Sequence, residues 1–285
     1  MTIQFTGRTK RLEDIDLPRI GHEIGVGEDV IHAIIDVEAP KAGFDDRGRP
    51  RILFEPHVFY RNLSGAKQQR AVNEGLAYRA WKPGTYGPES AQYGKLERAI
   101  AIDETAALKA CSWGRSQILG ENHVAAGYAT PQEMVRAFCD DEDNHIEAMV
   151  RFIKSKKLDV HLRRIDKLGR ASMAADWAPV ASGYNGSGYA VHNYHGRLAV
   201  RHNWWRGKPD TPWSPGQGED APAATPKPVP QGGVIYPSEP APAHPPQPPA
   251  PAPDIVIPGL PEAQQRVGWA GMLIAALAAL FGRRG

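Results

Sequence analysis

Val30, Ile31, Ile34, Ile35 and Val37 recur at helical spacing and form one apolar stripe. Pro40 disfavours helical geometry at Ala39, so that helix is expected to stop just before it. Asp45-Asp46-Arg47-Gly48 is a turn signal, and residues 51–54 read as a short strand behind it. Residues 88–111 carry two helical patterns broken near Asp103, whose side chain can cap the second. Thr130-Pro131-Gln132-Glu133 is a strong helix start: a capping threonine, a proline at the first helical position and a glutamate that completes a capping box. The helix it opens is expected to run on through Met134, Phe138, Ile146, Met149, Val150 and Ile153. Further helices fit 171–182 and 189–205. Residues 12–206 therefore predict one mainly α domain with a small β element.

The pattern then changes abruptly. Most of the 26 prolines fall between Pro209 and Pro261, mixed with Ala, Gly and Gln. Such a composition buries no core and favours an extended, polyproline-like spacer, here 207–262. Behind it, residues 267–281 are apolar and rich in Ala and Leu, between Arg266 and Arg283-Arg284. As a helix this run covers about 22 Å at 1.5 Å per residue, short of a hydrocarbon core of about 30 Å unless the flanking arginines snorkel. The tail, 263–285, is read as a hydrophobic, membrane-associated helix. The alternative is a helix docked on the globular domain.

Composition narrows the classes. With 285 residues and a formal net charge of +2, the chain lacks the basic bias of a nucleic-acid binder. The two cysteines, Cys111 and Cys139, are too few for a disulfide framework and wrongly spaced for zinc. They read as buried thiols in helices. His192, His195 and His202 lie in a polar helical stretch with no carboxylate at ligand spacing, so they read as surface histidines rather than metal ligands. No metal and no cofactor is expected. The first residues have no apolar run before their charges, so no secretory signal peptide is expected.

Two carboxylates are placed for chemistry. Glu38 closes the apolar helix beside Val37, where a cleft edge would half-desolvate it and raise its pKa, as a general acid requires. The alternative is a solvated glutamate in a last helical turn. Glu55 stands in Leu53-Phe54-Glu55-Pro56-His57-Val58-Phe59, flanked by apolar residues and two positions from a histidine. It reads either as a second carboxylate or as a structural partner of His57 or Arg61.

Downstream of Glu38, the chain carries Cys111-Ser112-Trp113-Gly114-Arg115-Ser116-Gln117-Ile118-Leu119-Gly120-Glu121-Asn122-His123, then Ser182-Gly183-Tyr184-Asn185-Gly186. A glutamate at a helix end, then Ser-x-Gly-x-x-Gln-Ile, then Tyr-Asn-Gly resembles the motif order of the lysozyme-like superfamily. More narrowly, the chain resembles the N-acetylmuramidase domain of phage and prophage endolysins. Residues 39–41, Ala-Pro-Lys, depart from the Ser-Gly-Gly common after that glutamate. The resemblance implies a lysozyme-like fold and hydrolysis of the β-1,4 bond between N-acetylmuramic acid and N-acetylglucosamine, with Glu38 as acid, while Glu55 stays open between second carboxylate and structural partner. It implies substrate contacts from Ser112, Gly114, Gln117, Asn122, Tyr184 and Asn185. In that reading Gly114 lets a sugar approach the backbone, Gln117 bonds its amide and hydroxyl groups, and Tyr184 stacks on it. For the 112–117 stretch the alternative is a tight helix-packing site. The partner would be peptidoglycan at the bacterial cell envelope, with the tail in the inner membrane and the catalytic domain in the periplasm. A lytic transglycosylase, or a non-catalytic membrane-tethered peptidoglycan-binding module, are the alternative readings.

Overall fold

The computed structural model describes residues 4–38, 42–80, 82, 85–185, 187–190 and 193–216. The hydrophobic tail and all but the first residues of the proline-rich spacer lie outside them. The described residues are mainly helical, with one small sheet.

Two helices open the domain, α1 (Asp16–His22) and α2 (Glu28–Glu38). Strand β1 (Ile52–Phe54) leads into α3 (Pro56–Arg61) and α4 (Gly65–Asn73). Next come α5 (Gln92–Ile100) and α6 (Glu104–Lys109). The hairpin β2 (Cys111–Trp113) and β3 (Ile118–Leu119) follows. Then come α7 (Pro131–Asp140), α8 (Glu142–Ser155), α9 (Asp159–Asp166), α10 (Ala174–Asn185) and α11 (Tyr194–Trp205). The strands form an antiparallel sheet in the order β1-β2-β3, with Phe54 opposite Cys111 and Ser112 opposite Leu119.

The sequence signals act where expected at two starts. Asp103 accepts from Ala106 N at 2.9 Å and Thr130 from Glu133 N at 3.1 Å. The reciprocal arm of the capping box reaches one residue further back, with Glu133 accepting from Ala129 N at 3.1 Å.

Three expectations are corrected. The helix begun at Pro131 breaks at Asp141, which adopts extended geometry and caps α8 through Asp143 N. The cause is remote in sequence: Lys10 of the N-terminal arm bonds on both sides of this residue, donating to Asp140 O at 2.9 Å and accepting from Glu142 N at 3.0 Å. Second, the stretch 111–119 is a β-hairpin rather than a helix-packing face, and Cys111 is a strand residue. The turn has Gly114 at φ 63° and Gln117 at φ 50°, a left-handed geometry that no helix continues. Third, His202 is fully buried rather than a surface residue.

That burial is part of the packing that positions the site. α11 packs on both α2 and α10. At one end of the pair, His202 Nδ1 meets Ser172 Oγ at 2.9 Å and its Nε2 lies 3.4 Å from Asp29 Oδ2. Trp177 Nε1 donates to the same hydroxyl at 3.1 Å. Trp205, the last residue of α11, stacks on His32 of α2 with ring centres 3.6 Å apart and donates to Asp36 at 2.8 Å. The other end holds Glu38.

Candidate active site

Glu38 is the last residue of α2 and is 6% exposed. The stripe that anchors α2 in the core carries the helix end inward with it. Tyr194, the first residue of α11, donates its hydroxyl to Oε1 of Glu38. Arg197, one turn on, donates to Val37 O at 2.9 Å and brings positive charge near the carboxyl. Burial outweighs both partners and pushes the Glu38 carboxyl up to about 7. Burial and the same carboxyl hold the Tyr194 hydroxyl well above its usual range, so it stays a donor.

Glu55 leaves the end of β1 and stands at the N-cap of α3, where Pro56 fits the first helical position. It is 3% exposed. Tyr86 donates its hydroxyl to Oε2 at 2.6 Å, and His57 Nδ1 lies 3.5 Å from the same oxygen. Burial again leads: it lifts Glu55 to about 7 against Tyr86 and Arg61, with Glu121 adding to the rise. Burial and Arg61 push His57 down to about 4, so a neutral imidazole faces the carboxyl at neutral pH. Arg61 itself pairs with Glu121, not with Glu55.

The residues read as substrate contacts sit differently from one another. Ser112 lies inside the sheet with no exposed surface. A Cβ on Gly114 would meet His145 Nδ1 at 2.5 Å, so the missing side chain makes room for that ring. His145 accepts from Arg115 N at 3.0 Å and bonds Phe138 O at 2.7 Å, which defines a neutral ring protonated on Nε2. Burial holds it neutral, down to about 4. The Gln117 amide turns back to donate to Gly114 O at 2.7 Å and is 8% exposed. Asn122 ends a short turn after β3, half-buried, with Nδ2 unpartnered. Tyr184 is 3% exposed and meets Phe152 edge-on at 5.7 Å, so its ring is packed in the core rather than free to stack on a sugar. Its hydroxyl is nonetheless close enough to Glu38 to feel its charge. Asn185 is the last residue of α10.

The two tyrosines that touch the glutamates are absent from that reading. Tyr194 had one faint mark, its place between two histidines in a polar helix. Tyr86 had another, an aromatic ring between Thr85 and Gly87-Pro88, where turn residues alone would serve. Among the described residues no group of three or more His, Cys, Asp or Glu is arranged to hold a metal ion.

Glu38 at a helix end and Glu55 at a strand end are each buried, raised to about 7 and bonded by a tyrosine hydroxyl, a state in which a carboxyl can give up a proton near neutrality. The chain belongs to the N-acetylmuramidase family, which it matches over residues 28–206. It is similar to the crystal structure of a Burkholderia AP3 phage endolysin, at 32% identity and a TM-score of 0.60, over 70% of this chain and 73% of that one. A comparison with curated proteins found no match.

Proposed function

We propose that this muramidase acts in phage-type lysis and cleaves the β-1,4 bond after N-acetylmuramic acid with Glu38 as general acid and Glu55 as second carboxylate. The observation that carries the reading is the pair of buried carboxyls near pH 7, each with one oxygen taken by a tyrosine. Because Tyr194 donates to Oε1 of Glu38, the transferable proton resides on Oε2. That proton passes to the glycosidic oxygen as the C1–O bond breaks. Positive charge then spreads over C1 and the ring oxygen, where the ionised Glu55 stabilises it or takes a proton from the incoming water. Ser112, Gly114 and Gln117 shape the hairpin beside this centre, with Asn122, Tyr184 and Asn185 supporting the substrate site.

Glu38→Gln is nearly isosteric and cannot donate an acidic proton. It is expected to lose about 10²–10⁴-fold activity on purified peptidoglycan while keeping its fold. Mass spectrometry of the released fragments is expected to show reducing ends. Full activity of a folded Glu38→Gln would move the acid elsewhere, and anhydro ends would make the enzyme a transglycosylase.

The tail, 263–285, is proposed to hold the enzyme at the inner membrane with the catalytic domain in the periplasm. The support is the uncharged run 267–281 followed by Arg283-Arg284, which the positive-inside tendency places in the cytoplasm. Among the described residues no helix is long and apolar enough to cross a membrane. Deleting 267–285 should leave activity on purified peptidoglycan intact and abolish membrane fractionation. Recovery of the full-length protein in the soluble fraction would defeat this placement.

A further inference from the structure

Gln92 opens α5 and is 1% exposed. Its amide oxygen and its amide nitrogen are both engaged across two segments. Its Oε1 accepts from Phe54 N at 3.0 Å. Its Nε2 donates to Tyr86 O at 2.6 Å and to Pro88 O at 3.1 Å. The partners fix the orientation of the amide, since a backbone N–H needs the oxygen and the two carbonyls need the nitrogen. The strand makes this demand. Glu55 N points toward β2 and donates to Ala110 O at 2.8 Å, so the N–H of the preceding Phe54 points away from β2, where Gln92 meets it.

A closed circuit results. Phe54 is bonded to Glu55, Glu55 accepts from the Tyr86 hydroxyl, Tyr86 is held through its carbonyl by Gln92, and Gln92 returns to Phe54. Lys95 adds a second hold on the same carbonyl at 2.7 Å. We propose that Gln92 is a positioning residue for catalysis: it locks the Tyr86 segment to the strand end that presents Glu55, and so fixes which carboxyl oxygen the tyrosine occupies. The proposal rests on the reading of Glu55 as the second carboxylate. It explains why a glutamine, with one acceptor and two donors in a planar fork, stands in the core beside a strand edge. An apolar side chain would strand Phe54 N and leave Tyr86 O to Lys95 alone, and a glutamate would turn an oxygen toward two carbonyls.

The test compares wild type, Glu55→Gln, Tyr86→Phe, Gln92→Met and the double variant Tyr86→Phe/Gln92→Met, by kcat against pH on purified peptidoglycan. Glu55 is faced by Tyr86, by His57 and Arg61 from α3, by Glu121 beyond β3 and by Cys111 of β2. Of these, only the Tyr86 bond is removed by the variants. Tyr86→Phe and Gln92→Met are each expected to lower kcat about tenfold. Each should also move the limb on which Glu55 ionises toward alkaline pH. The double variant is expected to be no worse than Tyr86→Phe alone, because both remove one interaction. A Gln92→Met loss that multiplies with Tyr86→Phe, or a limb left at its wild-type position, would make Gln92 a packing residue only and overturn the proposal. A fully active Glu55→Gln would instead overturn the role of Glu55. Should Gln92→Met not fold, Gln92→Glu keeps the shape and the acceptor for Phe54 N and is judged by the same two criteria.

Discussion

Tyr194 reaches across from the first turn of α11 to Glu38 at the last turn of α2 and gives its hydroxyl hydrogen to Oε1. That bond favours the ionised carboxyl, so its loss raises the Glu38 pKa above its present value of about 7. An acid must be protonated to work, and activity falls as pH rises through its pKa. Tyr194→Phe is therefore expected to shift the alkaline limb of the kcat profile upward and to lower kcat about tenfold. An unmoved alkaline limb would show that the tyrosine does not govern this carboxyl.

Stability should carry the same signature. Glu38 and Glu55 both titrate near 7 in the folded protein, while a glutamate in an unfolded chain titrates at about 4.3. Between those values the folded state binds more protons. The burial of each carboxyl is therefore tolerated fully below about pH 4.3 and becomes costly as pH rises through about 7, by up to roughly 3 kcal/mol per group. Glu38→Gln and Glu55→Gln should melt above wild type at pH 8 and close to it at pH 4.5. Equal differences at both pH values would contradict the raised pKa values. The histidines pull the other way: His57 and His145, held neutral by burial, lose their contribution as pH falls from about 6.5 through about 4.

Gly114→Ala combines two penalties, a left-handed backbone at φ 63° and a Cβ 2.5 Å from His145 Nδ1. The expected cost is about 2–4 kcal/mol, read from the urea midpoint. In a His145→Ala background the steric part disappears and only the backbone part, about 1 kcal/mol, should remain. Equal costs in both backgrounds would mean that the ring does not occupy that space.

Ser172→Ala strips the shared hydroxyl from both Trp177 Nε1 and His202 Nδ1 in a buried network. A loss of about 1–3 kcal/mol of stability is expected, with kcat unchanged at a temperature where the variant is folded. A folded variant with depressed kcat would tie this network to the chemistry.

The sequence disclosed what local chemistry controls. Asp103 and Thr130 start their helices through side chains three residues from their partners, and the α2 stripe needed only periodicity. Glu38 and Glu55 stood out because each interrupts an apolar neighbourhood. What stayed hidden depends on remote partners. The break at Asp141 is made by Lys10, and the burial of His202 by Ser172 and Asp29. Tyr86 and Tyr194 are 31 and 156 residues from the glutamates they serve. The hairpin was missed for a local reason: Gln117 adopts a left-handed conformation usually left to glycine, so the turn shows only one of its two marks.

The arm that splits α7 from α8 also sets an order of events during synthesis. Residues 8–12 bond to Cys139, Asp140 and Glu142, some 130 positions further along. At ribosomal speeds of about 5–20 residues per second, the first segment of this enzyme waits on the order of ten seconds before its partners exist. Until then the Leu12 and Gly43 N–H groups have no Glu142 carboxylate to donate to. A nascent chain therefore completes the surroundings of Gly43 only after the ribosome has moved well past them.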